Sequence, residues 1–406
     1  MSAVEWKKLG DLGTFENIGV DKKIIEGEPE VTLLNYVDVY KNKRINNNIP
    51  TMKVTASLKK LQTCNVLMGD ILVTPTSETK DDIGHTAVAI ESLDNTVYSY
   101  HIMRYRLFQQ NMITSHYINY IFDTISVKDQ IYKYASGLTR FGLSKDKFAS
   151  IIIPIPSLAK QQEIVSHLDT FTTLISSLES ELEMRRKQYE HYRNQLFGDT
   201  FELLLEKADK GEIKVSTLSE VGTFTRGRRF VRTDIMTEGT PCIHYGDMYT
   251  YYGVSAKFTP TFLLPEVAAK LRFAQENDVV IVGAGENNED IGIGVAWLGK
   301  EYVAVHDACY IFKHQMNPLY ISYYLRTDIY HKQIKKHVSS GKICSISSDG
   351  IGKSIVPVPS LETQQQIVEK LDAFEQLIQS LETEIKLRKK QYEYYREKLL
   401  TFDKEE

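Results

Sequence analysis

Apolar positions along the chain follow two different rhythms. Between residues 164 and 196 they recur four and three apart: Ile164, Leu168, Phe171, Ile175, Leu178 and Leu182, then Tyr189, Tyr192 and Leu196. The same beat returns at Ile367, Leu371, Phe374, Ile378, Leu381 and Ile385, then Tyr392, Tyr395 and Leu399. A sustained 4-3 spacing is the seam of a coiled coil. Pro156 and Pro359 each end an apolar, strand-like run, and Ser157 and Ser360 stand where an N-cap belongs. Two long helices are therefore predicted, each ~60 Å at 1.5 Å per residue. Elsewhere the apolar runs are short and alternating, as in strands.

The two helical segments are copies. Sliding the chain on itself by 203 positions lays 154–196 over 357–399 with roughly 25 of 43 positions identical, including "RRKQYEHYR" over "RKKQYEYYR". The two copies are expected to pair antiparallel, since each follows a globular segment. Arg185 and Arg388 break the seam at matching places. Either they fix register, as single polar seam residues do, or the seam drifts there and they reach solvent.

The segments ahead of the helices match more faintly. "LGDLGTF" (9–15) answers "LSEVGTF" (218–224), and "GDILVTPTSETKDDIG" (69–84) answers "NDVVIVGAGENNEDIG" (277–292). "HIMRYRLF" (101–108) is set against "HDACYIFK" (306–313), pairing His101 with His306. "SGLTRFGLS" (136–144) is set against "SGKICSISS" (340–348). Each segment reads as several short strands, one amphipathic helix (about 115–135 and 317–338) and a strand into the long helix. The expected fold is mixed α/β: 1–153 globular, 154–197 first long helix, 198–211 linker, 212–356 globular, 357–402 second long helix. Helices that kept their sequence suit identical partner faces, whereas globular units that diverged suit two different ligands.

Composition changes this picture little. At 406 residues, 42% hydrophobic and 25% charged, the chain is a two- or three-domain globular protein. A net charge of −4 argues against coating nucleic acid by charge alone. The first residues lack the apolar core of a signal peptide and no apolar run reaches the ~20 residues of a membrane span, so a cytoplasmic location is expected. The four cysteines are scattered, without metal-ligand spacing, and no metal site is expected.

Catalytic strings are missing as well. "SSDGIGKS" (347–354) has Ser347 where a phosphate-cradling loop needs its first glycine, and nucleotide binding is not expected there. "GAGENNEDIGIG" (283–294) lacks dinucleotide spacing, and His101 and His306 read as structural. What remains is binding chemistry. "TRGRRFVR" sets Arg226, Arg228, Arg229 and Arg232 around a glycine, a loop able to reach phosphates or guanine edges. "YKNKRINNN" (40–48) is a second basic, amide-rich stretch. Thr139 and Arg140 sit at a glycine-bounded turn, Lys342 in the matching turn, and Ser77 and Lys80 in a loop after a strand.

The pattern P-x-P-S-L-x-x-Q-Q-x-I-V-x-x-L-D at 154–169 and 357–372, running into the basic tyrosine-rich strings, resembles the specificity subunits of type I restriction-modification systems. The helix endings look most like the type IC branch. The resemblance implies two target-recognition domains that each read half of a split DNA sequence, joined by helices that set the gap. It implies a non-catalytic chain with no cofactor of its own. Two modification subunits carrying S-adenosylmethionine would dock on it to methylate adenine N6, and restriction subunits using ATP and Mg would join for cleavage. Thr139, Arg140, Arg226, Arg228, Arg229, Lys342, Ser77 and Lys80 are the DNA-contact candidates. Ile164, Leu168, Phe171, Leu178, Arg185 and Tyr189, with Ile367, Leu371, Phe374, Leu381, Arg388 and Tyr392, are the spacer positions. "ISSL" and "ESEL" (175–182) stand where that branch carries the tetrapeptide repeats that set the gap. A scaffold joining two divergent protein-binding domains is the other reading the residues leave open.

Overall fold

The computed structural model describes residues 4–109, 111–339, 341 and 343–403. The chain forms two compact units, 1–179 together with 384–406, and 180–383.

In the first unit, a five-stranded sheet runs in the order Gly13–Glu16, Met103–Leu107, Ile71–Val73, Thr86–Ala89, Arg44–Ile45. Its pairs are antiparallel except the last, which is parallel. A three-stranded sheet of Met52–Thr55, Glu30–Leu34 and Thr96–Tyr98 lies beside it in sequence and carries its own core around Leu33, Val54 and Val97. The second unit repeats the five-stranded order with Gly222–Arg226, Cys309–His314, Val279–Val282, Gly294–Trp297 and Ser255–Ala256. Its second sheet has grown to five strands. The register shows which residues correspond. Phe15 pairs with Tyr105 and Phe224 with Phe312, each pair of rings stacked at 4.2 and 4.5 Å. Tyr105 is thus the counterpart of Phe312, two residues away from the sequence alignment, and His101 and His306 are not equivalent.

The amphipathic helix expected before each long helix is broken in two. Ser115–Ile121 and Ile125–Tyr134 are separated at Thr124, and Pro318–Tyr324 and Asp328–Ile334 at Thr327. Each threonine hydroxyl accepts the N–H of the third residue on, starting a new helix where periodicity alone sees one. The segment 198–211, expected as a linker, contains the helix Phe201–Asp209, capped by Thr200.

Each globular fold grips the start of its own long helix by buried polar contacts. A short strand, Ile152–Ile155 or Ile355–Pro357, pairs antiparallel with Glu5–Lys8 or Val215–Thr217 and leads into helix Leu158–Leu196 or Leu361–Leu400. The fully buried Gln161 accepts the Thr114 N–H at 3.0 Å and donates to the carbonyls of Met112 and Pro156 at 2.9 Å. Gln364 does the same with the Asn317 N–H at 2.8 Å and the Pro359 carbonyl at 2.9 Å. One turn and more further on, Tyr120 donates to Asp169 at 2.6 Å and Tyr323 to Asp372 at 2.5 Å. The repeated Q-Q and L-D of the sequence are these contacts.

The 4-3 seam serves two partners in turn. Ile164 and Leu168 are buried in the core of the first globular fold, and Leu371 and the half-buried Ile367 in that of the second. Beyond them, helix meets helix. In the first unit, Phe171 stacks on Tyr395 at 5.5 Å and Glu179 bonds Lys389 at 2.7 Å. In the second, Phe374 stacks on Tyr192 at 5.4 Å and Glu382 bonds Arg186 at 2.6 Å. Residue numbers rise on one helix as they fall on the other, so the pairing is antiparallel. Leu178 and Leu381 are half-buried. Arg185 and Arg388 turn along their own helices, to Glu181 and Gln188 and to Glu384 and Gln391. No helix among the described residues is long and apolar enough to cross a membrane.

The far end of each long helix carries a matching tyrosine–arginine pair on its own surface, Arg193 over Tyr189 at 5.3 Å and Arg396 over Tyr392 at 5.6 Å. The polar partners then differ. In the second unit the Asn194 amide accepts the Asp328 N–H at 3.0 Å and donates to the Asp328 carboxylate at 3.1 Å. In the first unit Glu397, the counterpart of Asn194, accepts the Ile125 N–H at 3.1 Å, and no carboxylate stands at 125. Asn194→Glu would set two carboxylates together at a helix N-terminus that already holds one. We expect Asn194→Glu to lower stability by about 1–2 kcal/mol, a Tm fall of a few degrees. Asp328→Asn in the same chain should recover most of it, while Glu397→Asn alone should cost less. Calorimetry of the three variants checks the order.

Candidate nucleic-acid interface

In both units the central strand of the main sheet runs on into a loop pinned by a two-residue ladder. Thr76–Ser77 pairs with Phe141–Gly142 in the first unit and Ala284–Gly285 with Cys344–Ser345 in the second. Each loop closes in a short 3-10 turn, Lys80–Asp82 or Asn288–Asp290, then a buried isoleucine and a glycine at φ +81° or +88°. At Gly84 the left-handed φ calls for glycine, and a Cβ there would also push on the Ile131 Cδ1 methyl, 2.7 Å away. These turns are the D-I-G strings of the sequence, and the ladders bring segments some 60 residues apart to one edge.

In the first unit, that edge gathers Ser77, Lys80, Thr139 and Arg140. Thr139 and Arg140 are exposed, and among the described residues Arg140 reaches back only to the Thr76 hydroxyl at 3.2 Å. Ser77 is buried, its hydroxyl spent on Asp82 at 3.1 Å. Asp82 also accepts from Tyr40 at 3.1 Å and from His85 Nε2 at 2.8 Å. Although burial works against the charge, these donors hold the Asp82 carboxyl below its usual pKa. Burial lowers the pKa of His85, so the ring is neutral at pH 7 and donates its Nε2 proton. Lys80 extends over the Tyr132 and Phe141 rings, 5.1 and 5.6 Å from their centroids. Ser77 and Asp82 thus stiffen the loop, while Arg140 and Thr139 are exposed and the half-buried Lys80 rests on its two rings.

The second unit arms a different loop. After strand Gly222–Arg226 the chain passes Gly227, where a Cβ would lie 2.2 Å from the His306 carbonyl oxygen, so only glycine allows the approach. Arg226 Nε donates to the Asp307 carbonyl at 2.8 Å and Arg228 Nη1 to the Lys270 carbonyl at 2.7 Å. Phe230 is buried edge-on against His306 at 5.0 Å. His306 Nδ1 accepts the Ala308 N–H and Nε2 meets the Phe230 carbonyl, both at 3.1 Å, which fixes the neutral tautomer; burial lowers its pKa accordingly. Arg226 and Arg228 are therefore tethered at one edge of the guanidinium, whereas Arg229 and Arg232 are exposed and make no ion pair among the described residues. Lys342 lies outside the described residues. Counting along the ladder, where Ser136 bridges Gly142 and Ser339 bridges Ser345, Arg140 corresponds to Ile343, which is 64% exposed.

A shared element escaped the sequence comparison. "NYVDVY" (35–40) and "HYGDMY" (244–249) share Tyr-x-Asp-x-Tyr. Asp38 and Asp247 each accept the N–H three residues before, at 2.8 and 3.3 Å. The last tyrosine then reaches the ladder loop, Tyr40 to Asp82 and Tyr249 to within 2.7 Å of where a Gly285 Cβ would stand. The identity was readable in the sequence, but only at an offset of 209 rather than the 203 of the helices.

The edge in each unit combines a rigid loop, exposed basic groups and hydrogen-bonding side chains. Comparison with known proteins says what such a pair belongs to. The family model for the type I restriction modification DNA specificity domain matches residues 1–184 and again 210–388. A type I restriction enzyme specificity subunit from Escherichia coli is 33% identical over 272 residues, 63% of this chain and 64% of the relative, so the match spans just under two-thirds of that protein. A putative specificity subunit from Haemophilus influenzae is 30% identical over 66% of this chain and 68% of its own. Among solved structures, the type I restriction-modification S subunit from M. genitalium shares the fold with a TM-score of 0.55 at 16% identity, covering 99% of this chain and 97% of that one. A chain from a study of complex assembly in the type I system gives 0.57 at 14% identity, covering 98% of each. With the same helix–globule plan on both halves and the family model matching both, this chain is a member of the type I restriction-modification DNA specificity family.

Proposed function

We propose that the chain is the DNA-reading subunit of a type I restriction-modification complex, with 1–153 and 212–356 as its target-recognition domains. Segments 154–197 and 357–402 are the spacer helices, with 198–211 linking the first of them to the second domain. Each domain reads one half of a split target. The observation that carries this is the division of labour after duplication: buried glutamines, tyrosine–aspartate bonds and D-I-G turns are common to both units, while the exposed side chains on the corresponding edges differ. A frame kept and an edge changed is what two readers of different sequences need.

The chain itself performs no chemistry in this reading and binds no cofactor. S-adenosylmethionine belongs to two modification subunits, and ATP with Mg to restriction subunits. Equivalent exposed apolar positions on the helices support two identical partners: Leu174 and Leu377 are 39% and 38% exposed, Met184 and Leu387 64% and 61%. Arg140, Thr139 and Arg229 are assigned to bases or the phosphates beside them. Arg226 and Arg228 hold their loop and offer only their remaining N–H groups.

Co-expression with a cognate modification subunit in a methylation-free host, followed by mapping of modified adenines, tests the reading. One split motif with a constant gap is expected; no modification by a soluble complex would refute it. Arg140→Ala and Arg229→Ala should each relax one position of the motif, at a cost of ~1–3 kcal/mol. Adding four residues after Leu178 should lengthen the helix by ~6 Å and widen the gap by about two base pairs.

A further inference from the structure

The string "SSDGIGKS", which lacks the spacing of a phosphate-cradling loop, turns out to border a basic pocket. Ser348–Gly352 is a five-residue helix whose glycines serve packing: a Cβ at Gly350 would lie 3.0 Å from His337 Cβ, and one at Gly352 2.0 Å from Ser219 Oγ. Lys353 and Ser354, which follow, line a cavity in the second unit together with Lys332, Lys336, His337 and Glu202. Its volume is about 410 Å³, roomy for a phosphate group.

Three features of this cavity point to an anion. Lys332, Lys336 and Lys353 make no ion pair or side-chain hydrogen bond among the described residues, and Glu202 is the one acidic residue of the lining, so the mouth is net positive. Ser354 is a lining residue only 2% exposed, and its buried hydroxyl has no hydrogen-bond partner among the described residues. The first turn of helix Phe201–Asp209 borders the cavity and adds the positive end of its dipole.

Comparison of the two units shows that the fold does not require these groups. Gln333 clasps Ile355 through both backbone groups, donating to its carbonyl at 3.2 Å and accepting its N–H at 2.8 Å. Gln130 clasps Ile152 in the same way at 3.0 and 2.8 Å. Around that common clasp, however, the counterparts of Lys332, His337, Lys353 and Ser354 are Asp129, Tyr134, Ser150 and Ile151; only Lys336 keeps its charge, in Lys133. One unit has built a cationic pocket where the other has none.

The geometry points to a phosphate-binding site formed by Lys332, Lys336, Lys353 and Ser354 in the second unit. The phosphate is either a backbone phosphate of bound DNA, which rests on the proposed DNA-reading role, or a small phosphoanion, which does not. The contact adds affinity without reading bases.

The full chain in complex with its modification subunit, wild type and Lys332→Ala/Lys336→Ala, is titrated with target duplex across a range of salt. For a DNA phosphate, the variant's log K against log salt becomes shallower by about 1 while its methylated motif is unchanged. In parallel, both chains are melted with sodium pyrophosphate at constant ionic strength. For a small phosphoanion, pyrophosphate raises the wild-type Tm by degrees and leaves the variant unmoved, with the DNA slopes equal. Ser354→Ala should weaken the same response without lowering the Tm of the unliganded chain. Equal slopes together with equal pyrophosphate responses overturn the proposal, as does a changed motif. Absence of sequence-specific binding by the wild-type complex refutes the DNA-reading role instead, and the pyrophosphate arm still decides the pocket.

Discussion

Everything in each unit hangs on a buried glutamine. Gln161 and Gln364 are sealed from water at the point where strand gives way to long helix, and each satisfies backbone groups of two other segments. A buried amide with its donor and acceptor both engaged is costly to disturb and strict in geometry. It fixes the helix to the globular fold at one angle and one register. Tyr120–Asp169 and Tyr323–Asp372 repeat the restraint further along. A long helix keeps a fixed direction only if its root cannot swivel, and these bonds supply that root.

From the root outward, tolerance for change increases. Core tyrosines keep their places, since Tyr117 and Tyr320 donate to the carbonyls of Pro154 and Pro357 in matching positions. The loop beneath each edge keeps its isoleucine and left-handed glycine. The exposed groups differ: a threonine and arginine beside an aspartate-centred network in one unit, an arginine loop clamped over a histidine in the other. Stiffness and variability are separated by a few ångströms, which lets new contacts arise without refolding the frame.

Much of this was legible in the sequence. The helices, their duplication and their antiparallel pairing follow from periodicity and identity, because a seam residue is constrained wherever it packs. The globular halves were harder for a physical reason. Their strands are short and their loops differ in length, so the offset between copies drifts through 209, 208, 207 and 203, and a single sliding comparison loses Tyr36, Asp38 and Tyr40 against Tyr245, Asp247 and Tyr249. The pairing of His101 with His306 failed by the same slip. The break of one helix into two at Thr124 and Thr327 was hidden because a threonine is an ordinary helix residue in a periodicity pattern, and only its hydroxyl's bond to the third N–H on marks it as a cap. Among the site candidates, sequence found Arg140 and Arg226 together but had no means of separating an exposed guanidinium from one already bound to a carbonyl.

The asparagine at 194 and the glutamate at 397 give the duplicated helices an address. Duplication produces halves that are at first interchangeable, and interchangeable halves assemble promiscuously. Here one carboxylate at 328 accepts an amide and repels an acid, so the far end of the second helix is unwelcome where the far end of the first belongs. A globular half exchanged into such a chain would bring its own residue to the head of that short helix, either a carboxylate that suits Asn194 or an apolar residue that tolerates Glu397.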